Sequence, residues 1–187
     1  MKNTKFIFKL AAILFAIAFV CTLLLVLCNA LTKDRIEQLK TESETTAKTE
    51  VLKGAKDFEP TKAEGVEESY IGKDADGNTL GYCFKVEPSG FGGKITVMVG
   101  VTTDGKVSGV KITNMSETPG LGAKANEGSW LSQYNGKTDG ISVVKGGNAK
   151  DNEINAISGA TITSKAVTDG VNAALKAAKE LNAKEGK

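Results

Sequence analysis

The chain of 187 residues carries 24 Lys and Arg against 22 Asp and Glu, and a net charge of +2 leaves no basic footprint for nucleic acid. It has no His and three Cys, of which Cys21 and Cys28 lie in an apolar run and Cys83 stands alone outside it. Within this chain that excludes a His-ligated haem, a four-Cys iron–sulfur cluster, a Cys/His zinc site, a Ser-His-Asp hydrolase and a disulfide framework.

Residues 10–32 contain no charged side chain and are almost all apolar. About 20 such residues cross a bilayer as one helix, so a membrane anchor is expected. The run exceeds the roughly 7–15 apolar residues of a cleaved signal peptide. No small-x-small cleavage site is well placed, and Leu27 rather than a small residue precedes Cys28. Lys2, Lys5 and Lys9 flank one end and Lys33, Arg35 and Lys40 the other, so the positive-inside count is nearly balanced. The leading tail lacks acidic residues, which weakly favours a cytoplasmic N-terminus.

Residues 34–58 are rich in Lys, Glu, Thr and Ala and read as a helical stalk that Pro60 breaks. Residues 74–78, Asp-Ala-Asp-Gly-Asn, lack the spacing of a calcium loop and predict a hairpin turn. A strand follows over 80–86, then the loop Gly90, Phe91, Gly92, Gly93. Ile95, Val97, Val99 and Val101 alternate strictly, which predicts a half-buried strand. Asp104-Gly105 predicts the hairpin turn into a returning strand with Val107, Val110 and Ile112. Residues 116–124 hold Pro119 between Thr118 and Gly120 and form a rigid loop with few bulky side chains, open to a flat ligand. Trp130 and Tyr134 fall on a short helix, in core packing or as stacking groups; Ile141, Val143 and Val144 predict another strand.

The densest signal lies at 155–171. Ser158, Thr161, Thr163 and Ser164 crowd around Gly159 and Ala160, and Val167, Val171, Ala174, Leu175, Ala178 and Leu181 then recur at helical spacing. A hydroxyl turn thus feeds a helix N-terminus, with Thr163 or Ser164 as its natural cap. Free N–H groups and the positive dipole end suit an anion there, though a plain capped helix has the same pattern. The tail at 184–187 is expected to fray.

Ser158-Gly159-Ala160-Thr161 resembles the SGAT motif of covalent FMN-binding domains, and Glu117-Thr118-Pro119-Gly120-Leu121-Gly122 resembles the ETPGLG loop that contacts the flavin in the same family. The resemblance implies that Thr161 carries FMN through a phosphoester installed by a separate flavin transferase. It also implies that Ser158, Gly159, Ala160, Thr163 and the loop 117–122 bind the cofactor. Glu117 and Lys145 are candidates for tuning the flavin's charge state. The family has Asp where this chain has Asn155, with Asp151 and Glu153 close by. No catalytic acid, base or metal ligand is nominated.

Both motifs, their order and the anchor are similar to the G-subunit family of Rnf complexes, membrane ferredoxin:NAD oxidoreductases that export ions. The C subunits of sodium-pumping NADH:quinone reductases share the motifs and are the alternative. The implied architecture is α+β: a tail and transmembrane helix (1–32), a helical stalk (33–60), and an FMN-binding domain (61–187) with an antiparallel sheet packed by helices. The implied place is the cell membrane, single-pass, with the N-terminus cytoplasmic, the FMN domain outside, and the complex's other subunits as partners. Two readings from other classes stay open: an anchored FMN enzyme acting on a small external substrate, and a cofactor-free binding module.

Overall fold

The computed structural model describes residues 2–185. Helix α1 (Lys2–Val51) contains the apolar run, and Leu14, Phe15, Leu25 and Leu31 on it are exposed to solvent rather than packed on protein. Among the described residues one helix is long and apolar enough to cross a membrane. The chain divides into two compact units, Met1–Glu42 and Ser43–Lys187.

Helix α1 ends at Val51, short of the expected 58. Gly54, at φ 96°, takes the left-handed conformation that turns the chain out of the helix. Residues 57–61 then form a strand instead of the stalk's last turns. Strands β1 (Asp57–Thr61), β2 (Glu68–Lys73), β3 (Thr79–Val86), β4 (Thr96–Thr102) and β5 (Val107–Asn114) make one antiparallel sheet in sequential order. Pro60 sits on β1, at the sheet's edge, where a missing N–H costs no central ladder bond. The predicted turn between β2 and β3 forms, with the Asp74 carboxylate accepting the Asp76 and Asn78 N–H groups at 2.9 Å each. Gly77 supplies its positive φ.

Strand β4 is buried along residues 96–101, not half-buried. Val97, Val99 and Val101 face a core shared with helix α3 (Thr161–Glu185) through Val167, Val171, Ala174 and Leu175. Met98 packs on the opposite face with Ala47, Val51 and Cys83. The alternation is therefore of two apolar faces, because the last turns of α1 cover the second one. Gly100 and Gly109 make that close approach: a Cβ on Gly100 would lie 2.2 Å from the Val51 carbonyl oxygen, and one on Gly109 2.9 Å from the Val51 Cα. The Ser108 hydroxyl donates to the same carbonyl at 2.5 Å. Beside this seam Lys85 bridges Glu44 at 2.9 Å and Glu68 at 2.8 Å, and the Lys48 ammonium lies 3.4 Å from the Tyr70 ring centroid.

Beyond β5 come a 3-10 turn (Gly122–Asn126), helix α2 (Gly128–Leu131) and a second 3-10 turn (Ser132–Tyr134). Trp130 and Tyr134 are buried edge to face at 5.5 Å, so core packing is their role. Strand β6 (Ser142–Val144) pairs in parallel with β7 (Glu153–Asn155), a short strand that the hydroxyl-rich sequence did not suggest. Helix α3 lies across β3 and β4. It runs to Glu185, so Lys184 is helical; Gly186 and Lys187 lie outside the described residues.

Candidate functional site

The 155–164 turn folds differently in detail from its expected cap. Helix α3 begins at Thr161, so Thr163 and Ser164 lie inside its first turn. The Ser164 hydroxyl donates to the Ala160 carbonyl at 2.9 Å and accepts the Ile157 N–H at 3.0 Å. The Ala160 N–H donates to the Ile157 carbonyl at 3.0 Å, with Gly159 at φ 76°. These bonds close the turn from within and let the helix start three residues early. The N–H groups of Thr161, Ile162 and Thr163 take no partner among the described residues, as the first turn of a helix requires. They point their donors and the helix dipole out of the N-terminus.

A cavity of about 330 Å³ opens there, lined by Phe91, Glu117, Thr118, Leu121, Gly122, Gly159, Ala160, Thr161, Ile162 and Thr163. The two motifs, well separated in sequence, thus form the walls of one cavity. Phe91, Leu121 and Ile162 are large apolar side chains left exposed around it. Such a chamber, apolar on its sides with free N–H donors at one end, fits a planar ring carried on a phosphate. FMN is such a molecule.

Four expected site residues lie off the cavity lining. Pro119 and Gly120 form the bend of their loop, closed by the Leu121 N–H on the Thr118 carbonyl at 3.2 Å. Ser158 is exposed on the outer side of the turn, and Lys145 is exposed beyond β6. Phe91 and Ile162 are the lining residues that sequence reading missed. Ile162 was visible as an apolar residue on the polar side of the helical pattern; Phe91 is a lone aromatic among three glycines.

The hydroxyls of the turn are unequal. Thr163 is buried and donates to the Glu117 carboxylate at 2.8 Å. Ser164 is buried and committed on both sides. Ser158 bonds no other described residue through its hydroxyl and lies outside the cavity lining. Thr161, half-buried, lines the cavity with a hydroxyl that bonds no other described residue. Asn155 stands behind this turn: its side-chain oxygen accepts the Ala149 N–H at 3.1 Å, and its carbonyl accepts the Trp130 indole N–H at 2.8 Å.

The family model of the FMN-binding domain matches residues 90–176, which contain the whole cavity, and that of the RnfG N-terminal region matches residues 1–51. The G subunit of the Na(+)-translocating ferredoxin:NAD(+) oxidoreductase complex of Acetobacterium woodii is 42% identical, covering 95% of this chain and 94% of that protein. The chain belongs to the G-subunit family of ion-translocating oxidoreductase complexes. A further member, from Methanosarcina acetivorans, is 32% identical over 94% of this chain and 96% of its own length. Members of this family are components of a membrane redox complex, and the cofactor of this domain is FMN. The crystal structure of Shewanella oneidensis NqrC shares the fold, with a TM-score of 0.52 at 23% identity over 64% of each chain. That likeness bears out the antiparallel sheet packed by helices; the near-full-length match to G subunits decides between the two families of similar motif.

Proposed function

We propose that this chain relays electrons within an ion-translocating ferredoxin:NAD oxidoreductase complex through FMN joined to Thr161 by a phosphoester. The observation that carries the attachment is the fate of the four hydroxyls. Among the four, only Thr161 combines a place on the cavity lining with an Oγ that bonds no other described residue. The product is a phosphoester between Thr161 Oγ1 and the cofactor phosphate, FMN less one water in composition; a flavin transferase acting on this turn would form it by transfer from an activated flavin nucleotide, whose leaving group departs as the Thr161 Oγ1–P bond forms. The N–H groups of Thr161, Ile162 and Thr163 bind the phosphate; Leu121, Phe91 and Ile162 hold the ring and keep water from its faces. Thr118, also on the cavity lining, would offer its hydroxyl to the bound cofactor. Bound FMN supplies one- and two-electron transfer, and the protein supplies position and electrostatics. No acid or base in the chain is required.

Residues 1–32 anchor the chain, with the N-terminus in the cytoplasm and the domain on the outer face. Covalent attachment there keeps the cofactor from being lost by dilution, since rebinding is intramolecular. The test is made on membranes holding the assembled complex. On addition of reduced ferredoxin or NADH, the flavin band of this chain bleaches; Thr161→Val removes that band and the ferredoxin:NAD activity together. Full activity and an unchanged band in the variant would contradict the proposal.

A further inference from the structure

Glu117 is 8% exposed, and all of its side-chain hydrogen bonds run to other segments of the site. One carboxylate oxygen accepts the backbone N–H groups of Phe91 at 2.8 Å and Gly92 at 3.0 Å. The other accepts the Thr163 hydroxyl at 2.8 Å. Among the described residues no Lys or Arg pairs with it. N–H and O–H dipoles alone replace its lost hydration.

The surroundings are shaped to this carboxylate. A Cβ on Gly90 would lie 2.3 Å from one oxygen, and a Cβ on Gly122 2.4 Å from the other and 2.8 Å from the Thr163 Oγ1. A Cβ on Gly92 would fall 2.0 Å from the Ser116 carbonyl oxygen. Gly90 and Gly122 thus leave room for the carboxylate that joins the 90–93 loop to the first turn of α3, and Gly92 lets that loop approach the backbone before Glu117. Phe91 and Thr161 are carried by the two segments so joined, and both line the cavity.

We propose that Glu117 is a positioning residue: its buried carboxylate locks the loop bearing Phe91 against the helix turn bearing Thr163, and so fixes the two walls between which the flavin ring lies. This rests on the reading of the cavity as the flavin site. Glu117 acts through its partners, not by touching the reacting atoms. Holding the ring in one pose fixes its electrostatic surroundings, and hence its potential.

The lock makes a prediction that local packing does not. Thr163 has no hydrogen bond to Phe91 or Gly92, so Glu117 is the hydrogen-bonded path between them. The full-length chain, co-expressed with its flavin transferase and held in lipid nanodiscs, is compared as wild type, Thr163→Val, Thr163→Ser and Glu117→Gln. Amide hydrogen exchange at Phe91 and Gly92, flavin fluorescence anisotropy and the midpoint potential are measured. In Thr163→Val the two amides exchange about tenfold faster, the loss expected of one charge-assisted hydrogen bond in a coupled set. Anisotropy falls and the potential shifts. Thr163→Ser restores all three, and Glu117→Gln with Thr163→Val adds less than the sum of the single changes. If Thr163→Val and Glu117→Gln both keep wild-type exchange, anisotropy and potential, Glu117 positions nothing. If Glu117→Gln fails to fold, the Thr163→Val and Thr163→Ser pair still decides the matter. A wild-type chain without flavin on Thr161 would instead overturn the functional reading, while the exchange data on the unloaded chain would still report the lock.

Discussion

Asn155 stands where the motif resemblance leads one to expect Asp, yet its side chain already has a structural task. Its oxygen accepts the Ala149 N–H and its backbone N–H donates to the Gln133 side chain at 2.9 Å, which seats β7 beneath the hydroxyl turn. A carboxylate oxygen at the same position would accept the same N–H. Asn155→Asp is therefore expected to leave the flavinylated fraction unchanged or modestly higher; a wild type that stays colourless beside an active transferase while the Asp variant turns yellow would assign the residue a decisive part in modification. Leu121 poses a different test. It is exposed at the cavity mouth, and a Cβ on Gly159 would lie 3.1 Å from its side chain, so it bridges the two loops. Leu121→Ala should keep the covalent bond but shift the potential and slow flavin reduction; a variant equal to wild type in both would move the ring elsewhere. These residues were legible because each sits in a compact motif. Phe91 was not, since the bonds that bring it to the cavity come from Glu117, 26 residues away in sequence.

At the scale of elements, the strands β3, β4 and β5 and the long helix α3 were legible from alternation and 3.6-residue periodicity. The second buried face of β4 was not. A period-2 pattern records which residues share a face, and it is silent about a distant helix covering the other. What the sequence did contain was Gly100 and Gly109, and their meaning emerges only when Val51 is seen against them. Gly100→Ala would drive a methyl group into the Val51 carbonyl, which is backbone and cannot swing aside. It should destabilise the domain by about 2 kcal/mol or more through overpacking, read as a lower urea midpoint at unchanged slope. A neutral result would mean that the end of α1 lifts off the sheet at little cost. The start of α3 was misjudged by three residues because Ser164 bonds backward to Ile157, a choice that propensity does not contain.

For the whole molecule, buried titratable groups set the pH range of stability. Burial pushes the Cys83 thiol up from 9.0 to about 12, and burial with the Glu68 hydrogen bond pushes the Tyr70 phenol up from 10.0 to about 12. Burial also raises the Tyr134 phenol, against the bond to Thr168. The folded state holds these protons more tightly than the unfolded chain, so their contribution is complete below pH 9 and is lost as pH rises from about 9 toward 12. Urea midpoints should be level through neutral pH and fall above about 9, with Cys83→Ala blunting the first part of that fall; a level curve to pH 11 would contradict the burial of these groups. On the acid side, the Lys85 bond, then that of Tyr70, holds the Glu68 carboxyl below its usual value of 4.5, so its share is present above that value and is lost progressively as pH falls from there through the lowered one. For topology, protease added to intact cells after removal of any outer barrier should trim the domain but leave the anchor; full protection would reverse the orientation. The claim that joins anchor, cavity and complex into one function is the covalent cofactor, and its most direct test is the mass of the proteolytic peptide spanning Thr161 from the mature membrane protein. The account predicts the peptide mass increased by FMN less one water, with fragmentation assigning the increment to Thr161; an unmodified peptide from flavin-containing membranes, or the increment on Thr163 or Ser158, would contradict it.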